Sequence, residues 1–299
     1  MNRRFLAVLV SLSLFTSCAP PRGNSIVIGA KNFTEQVVLG ELLAQQIEAA
    51  FAAEGQPNYH VQRRFYLAGS YLCQQALVTG RIDGYVEYSG TALTAILKQP
   101  LPPVKDPAAV FASIRSLYER RYNVRVEPGL GFEDTFAMVV RGDDADHDHL
   151  AKISDVQSRA EQMRLGVGYE FQARPDGLAG LQTAYQLKFG TPRVMDLGLL
   201  YRALASHQVD IVAGNSTDGP IRELGFRVLV DDRHYFPPYE AVPLIREDSL
   251  ARHPEIQIAI TQLAGRVSAV EMQSMNDAVD GRHEDVAAVV RKFRTGKGL

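Results

Sequence analysis

Two stretches of this chain align on one another without a gap: ALVTGRIDGYVEYSGT (Ala76–Thr91) and ALASHQVDIVAGNSTD (Ala203–Asp218). They share Ala, Leu, Asp and Ser at matched positions, and they set Ile82 against Val209 and Thr79 against Ser206. Each reads as the end of a helix, then a strand, then a polar loop. A chain that builds this element twice is expected to build the surrounding sheet twice, and 299 residues suffice for two lobes.

The flanking sequence repeats the scheme. SIVIGAKNFTEQVVLGELLAQQIEAAF opens with an apolar run at Ile26–Ile28 and breaks at Gly29. From about Glu35 it is helix-periodic, with Val38, Leu42, Leu43 and Ile47 on one side. RRFYLAGS (Arg63 to Ser70) reads as a strand, YLCQQALVTG as a helix ended by Gly80, and the segment after Asp106 and Pro107 as another helix. In the second half, Arg164 to Leu187 gives a strand, a loop through Gly168 and a helix after Pro175 and Asp176. This alternation predicts parallel βα units and an α/β fold. Each half therefore has a first loop, at Lys31 and Arg174, and a later loop, at Tyr88 and Asn215. Ligands of such sheets bind beyond the carboxyl ends of the strands, so two facing sheets make a cleft.

PGLGFEDTFAMVVRGDDADHDHL and YFPPYEAVPLIRED read as segments crossing between the lobes, and the last helices, HPEIQIAITQLAGRV and HEDVAAVVRKF, return to the first. The expected partition is 26–134 plus 240–299 for one lobe and 135–239 for the other. That topology belongs to two-lobed solute receptors.

At the N-terminus, MNRR is followed by FLAVLVSLSLFTS, an uncharged run of signal-peptide length, short of the ~20 residues that span a bilayer. It ends in Thr16, Ser17 and Cys18, a small-residue pattern resembling a bacterial lipobox, with Phe15 where Leu is commoner. Residues 1–18 are thus expected to be a lipoprotein-type leader ending at an acylated Cys18, with 19–25 as a tether. Ordinary signal-peptidase cleavage beside an incidental Cys is the alternative. Cys73, the one remaining cysteine, reads as a buried small hydrophobe.

Several function classes find no support. A net charge of -2 carries no nucleic-acid fingerprint. No GxSxG elbow or P-loop occurs, and DDADHDH (Asp143 to His149) has neither HExxH nor calcium-loop spacing, so it reads as a solvated linker. No metal or cofactor is expected. An exported hydrolase using Arg174 as an oxyanion clamp would lack an identifiable nucleophile with a positioned base.

Taken in order, IGAKNFTEQVVLGELLAQ, EYSGTA, GFEDTFAM, YEFQARPDGLAGL, VAGNSTDG, FPPYEAVP and MQSMNDAVD resemble the periplasmic binding proteins of osmoprotectant ABC transporters, which bind glycine betaine, choline and related quaternary amines. The resemblance covers nearly the whole mature chain. It implies a type II two-lobed fold with the ligand in the interlobe cleft and no catalysis; together with the lipobox pattern at Cys18, the expectation is an extracytoplasmic, lipid-anchored monomer with permease and ATPase partners. A sensing subunit on the same fold is the competing role. It also implies a cage of four tyrosines around the trimethylammonium group, with basic and hydroxyl groups on the carboxylate.

Carried across, the basic pair falls on Lys31 and Arg174, the hydroxyl on Thr91, and the cage on Tyr88, Phe136, Asn215 and Tyr239. Two cage positions depart from the pattern. Phe136 keeps a π-face and loses a hydroxyl, whereas Asn215 replaces a wall by an amide that donates and accepts. The physics stands apart from the family: a quaternary ammonium has no N–H, so stacked π-faces must recognise it, at roughly 0.5 to 2 kcal/mol per contact. A carboxylate at the other end calls for Arg or Lys. The altered cage leaves the ligand open among betaines, including amino-acid-derived ones such as ergothioneine, and non-quaternary zwitterions. Ser216, Thr217 and Asp218 are expected to form a turn, with Thr217 or Asp218 capping the next helix.

Overall fold

The computed structural model describes residues 25–100 and 106–299; Cys18 and the leader-like segment lie outside them. Strands β1 (Val27–Gly29), β2 (Gln62–Arg64), β3 (Gly84–Tyr88) and β4 (Val124–Val126) come first. They are followed by β5 (Phe136–Arg141), β6 (Leu165–Val167), β7 (Arg193–Val194), β8 (Ile211–Asn215) and β9 (Phe226–Val228), and then by β10 (Ala241–Arg246). They form two five-stranded sheets, ordered β2-β1-β3-β10-β4 and β7-β6-β8-β5-β9. The chain is α/β and two-lobed.

Both sheets are mixed rather than parallel throughout. Within the first, β10 runs antiparallel to β3 and β4; within the second, β5 runs antiparallel to β8 and β9. The reason is topological: β5 and β10 are the strands by which the chain enters a lobe from the other one. Just before them the two crossing segments pair, through Leu130 N to Ala241 O (2.9 Å), Ala241 N to Phe132 O (3.1 Å) and Asp134 N to Tyr239 O (3.1 Å).

Helices α1 (Thr34–Ala53) and α2 (Ser70–Val78) link the first three strands, a single turn α3 (Ser89–Thr91) follows β3, and α4 (Pro107–Tyr122) precedes β4. Asp106 caps α4 and Pro107 occupies its first turn, as its sequence predicts. The second lobe carries α5 (Gly142–Asp148), α6 (Tyr169–Ala173), α7 (Leu178–Tyr185), α8 (Leu197–Ala205) and α9 (Pro220–Glu223). The chain ends in α10 (Glu247–Arg252), α11 (Glu255–Leu263), α12 (Ala269–Asp280) and α13 (Val286–Lys297), of which the last three pack on α1.

The repeat is structural down to its side chains. Leu77 O accepts from the Arg246 guanidinium at the end of β10 (2.9 Å), and Leu204 O accepts from Arg141 at the end of β5 (2.7 Å). Asp83 accepts from Val27 N and Asp210 from Arg164 N, both at 2.8 Å, tying each β3-type strand to the start of its β1-type neighbour. Ser89 Oγ accepts from Glu240 N (3.0 Å) and Ser216 Oγ from Thr135 N (3.1 Å), fixing each strand end to a crossing segment.

Two local expectations are corrected. RRFYLAGS is strand only as far as Arg64; Tyr66 (φ 62°) and Ala68 (φ 60°) then take left-handed backbone. The turn carries Phe65 onto α1, where Gly40 leaves the space: a Cβ there would lie 2.7 Å from the Phe65 ring. The DDADHDH stretch forms α5 instead of a linker, and three of its four acids are paired: Asp144 with Arg141, Asp146 with Arg227 and Asp148 with Arg159. No cluster of metal-ligating side chains occurs among the described residues. Cys73 is buried, and burial pushes its thiol up to about 12, so it is inert.

Candidate functional site

A cavity of about 150 Å³ lies between the lobes, and Lys31, Tyr88, Thr91, Phe136, Arg174, Asn215 and Tyr239 all line it. The strand ends explain this convergence. Tyr88 closes β3 and Asn215 closes β8, while Phe136 opens β5 in register with Asn215. Lys31 follows β1, and Arg174 follows α6 after β6. Thr91 ends α3, and Tyr239 sits on the returning crossing segment just before β10.

The two cations are buried, each about 3% exposed, and each already has a carboxylate partner. Lys31 Nζ donates to Glu87, whose carboxylate also accepts from Tyr88 N (2.8 Å) and Tyr85 OH (3.1 Å). Arg174 donates Nε and Nη2 to the two oxygens of Asp176, at 2.9 and 2.6 Å. A cation taken this far from water needs such a partner. Spare donors remain on both. The ammonium of Lys31 has three protons, and Nη1 of Arg174 has no hydrogen-bond partner among the described residues. Each cation also lies over an aromatic face, Lys31 over Tyr88 and Arg174 over Phe136, both at 4.8 Å.

Asp176 does not brace the start of α7, whose capping position is Gly177 and bears no side-chain cap. It is a junction. Besides Arg174, its Oδ2 accepts from Tyr239 OH and Thr94 Oγ1, both at 2.8 Å, so a carboxylate of the second lobe holds the crossing segment and the first lobe. Burial alone would raise its carboxyl; the Arg174 bonds overcome that and hold it below the usual range.

Thr217 and Asp218 cap nothing: α9 begins after Gly219 without a side-chain cap. Asp218 closes the loop onto β8 instead, accepting from Asn215 N (2.8 Å) and Tyr201 OH (2.6 Å). Thr217 Oγ1 donates across the lobe boundary to Glu35, which also accepts from Tyr88 OH (2.6 Å) and Asn276 Nδ2 (3.0 Å). Burial pushes the Glu35 carboxyl up to about 7 and that of Asp218 up to about 6. Asp134 is raised well above the usual range, first by burial and then by facing Glu35 and Asp218. A third tie comes from Glu170, which accepts from Ser70 N (2.7 Å) at the start of α2. These bonds describe closed lobes.

The acids Glu35, Glu87, Asp134, Glu170 and Asp176 were not singled out from sequence. All five lie within the quoted segments KNFTEQ, EYSGTA, GFEDTFAM and YEFQARPDG, so the signal was present without a partner to give it meaning. Phe171 was also missed. It lines the cavity, and its ring meets Phe136 edge-on at 4.9 Å, adding aromatic surface that Asn215 does not supply. Tyr239 likewise meets Phe136 edge-on, at 5.7 Å.

Comparison with known proteins agrees with this architecture. Residues 24–295 match the family described as the substrate binding domain of ABC-type glycine betaine transport systems. A carnitine transport binding protein of Listeria monocytogenes is 30% identical over 305 residues, spanning 98% of this chain and 96% of the relative. An ergothioneine transport permease/ergothioneine binding protein of Helicobacter pylori is 30% identical over 275 residues, spanning 92% of this chain and 48% of the relative. Among solved structures, a glycine betaine/carnitine/choline ABC transporter protein is 31% identical with a TM-score of 0.74, spanning 91% of this chain and 98% of that one. The chain belongs to the family of substrate-binding domains of ABC-type glycine betaine transport systems.

Proposed function

We propose that this member of the family is the extracytoplasmic receptor of an ABC importer, closing its lobes on a betaine-class zwitterion and presenting it to a permease and its ATPase. In this reading Tyr88, Phe136 and Tyr239 face the quaternary ammonium, and the spare donors of Lys31 and Arg174, with the Thr91 hydroxyl, take the carboxylate. Asn215 contributes a polar contact. The lobes are 26–134 with 240–299, and 135–239, hinged at the paired crossing segments. The protein acts as a monomer without cofactor or catalysis, tethered to the membrane through acylated Cys18.

The observation that carries the reading is the meeting of all seven side chains, drawn from six separate parts of the sequence, around one interlobe cavity. The named relatives add a ligand class: carnitine for the Listeria protein, ergothioneine for the Helicobacter one. Calorimetric titration with glycine betaine, choline, carnitine, ergothioneine and unmethylated amino acids tests it. Heat from at least one methylated ammonium and none from unmethylated amino acids is expected; the reverse pattern refutes it. For the anchor, Cys18→Ala is expected to release the protein from membranes, and unchanged retention overturns that part.

A further inference from the structure

Helix α2 begins in the first lobe without a cap of its own, because its capping position is Gly69, which has no side chain to offer. The cap comes from the second lobe. Glu170 Oε1 accepts from Ser70 N (2.7 Å), and its Oε2 accepts from the Ser70 hydroxyl (3.4 Å). A carboxylate is a favoured group at this end of a helix, where N–H groups are free and the dipole is positive.

Gly69 is not required by its own backbone, which is extended (φ −102°, ψ −167°) and open to other residues. What a side chain would meet there is Glu170. The three atoms nearest to an added Cβ all belong to it, with its carboxyl carbon 2.5 Å away.

Each side of this contact is tied to one of the two buried cations. In the first lobe, the left-handed turn at Tyr66 and Ala68 lays the chain before α2 along the Lys31 loop, with Leu67 N donating to Ala30 O and Asn32 N to Ala68 O, both at 2.9 Å. In the second, Glu170 lies in α6, the short helix that carries Phe171 and ends at Arg174, whose backbone N–H donates to Glu170 O (2.9 Å). One hydrogen bond thus joins the Lys31 loop to the Arg174 helix beside the cavity that both line.

We propose that Glu170 is a positioning residue, a latch that caps α2 only when the lobes close and so holds Arg174 and Phe171 over a ligand seated on Lys31 and Tyr88. This rests on the lobe closure of the proposed function. The latch grips the opposite lobe and not the guest, so it sets how tightly every ligand is held and leaves the choice among ligands to the cavity.

Glu170→Ala removes the cap, and Gly69→Ala displaces it by filling its place. In calorimetric titrations with glycine betaine, choline and carnitine, each variant is expected to weaken every ligand that the wild type binds by the same factor, about fivefold or more, the loss typical of a helix cap. The double variant is expected to lose no more than Glu170→Ala alone, since both changes remove one contact. Losses that fall on choline, the one cation of the three, and spare the zwitterions make Glu170 a direct ligand contact and overturn the latch. Additive losses in the double variant, or variants that bind as the wild type does, overturn it as well, while a wild type that contracts with ligand in small-angle scattering keeps the closure reading standing. A wild type that contracts with none of the three overturns closure and latch together.

Discussion

The two lobes are built on one plan and end in different chemistry. Strand for strand, β2-β1-β3-β10-β4 matches β7-β6-β8-β5-β9, with the crossing strand fourth in each. The residues that the two copies share are those that hold the plan: Leu77 and Leu204 take the arginine of the crossing strand, Asp83 and Asp210 tie neighbouring strands, and Ser89 and Ser216 pin the crossing segment. The residues that face the cleft are among those that differ. At matched positions the first lobe offers the ring of Tyr88 and the second the amide of Asn215. Their cations are neutralised differently as well, Lys31 by Glu87 on the neighbouring β3 and Arg174 by Asp176 in its own loop. Scaffold and specificity are thus separable here by a few residues.

The largest effect on that comparison is expected from Arg174→Ala. It strips the buried Asp176 of its counter-ion and loosens the junction with Thr94 and Tyr239, a loss of the kind that costs about 3–5 kcal/mol. Thermal melting should drop by several degrees, and binding of every carboxylate ligand should weaken by more than about a hundredfold. A variant that binds betaines normally would mean that the two lobes do not use their cations alike.

A smaller effect, of opposite sign, is expected when the second lobe is made like the first. Asn215→Tyr adds a π-face and should strengthen glycine betaine by about 0.5–2 kcal/mol, up to roughly thirtyfold, measured by titration. An unchanged ligand panel would place Asn215 outside the binding contacts.

The smallest concerns the seam, where Glu35 of the first lobe and Asp218 of the second face Asp134 on the crossing segment, with Tyr88 alongside. Burial holds Glu35 at about 7 against an ordinary 4.5, so the closed form favours the protonated carboxyl. The sign follows: closure is strongest at low pH and weakens as pH rises through about 7. Ligand affinity should fall by about tenfold between pH 6 and 8, because one linked proton changes it tenfold per pH unit and the loss ends once the carboxyl has ionised above about 7. Glu35→Gln should flatten the profile; a profile unchanged in that variant would assign the proton elsewhere.

Much of this was legible in sequence because the repeat carries its own register. Once Tyr88 and Asn215 are placed at matched strand ends, the loops at Lys31 and Arg174 must face the same cleft. The mixed sheets and the pairing of the acids were not legible. Glu35 meets Thr217 across 182 residues and Thr94 meets Asp176 across 82, and no local periodicity announces such contacts. The left-handed backbone at Tyr66 and Ala68 was hidden for another reason. Neither residue type signals it, and what accompanies the turn is distant in sequence: Phe65 against Gly40, Leu67 N on Ala30 O and Asn32 N on Ala68 O.

The place of β10 in the first sheet also bears on the order in which the molecule is made. It lies between β3 and β4, yet its residues are 241–246, after the whole of the second sheet. Until they arrive, β3 and β4 each present an unpaired edge where β10 belongs, the kind of edge that recruits foreign strands. The second sheet needs nothing outside 136–228. A chain emerging N-terminus first, from a ribosome or through an export channel, therefore completes its second lobe before its first.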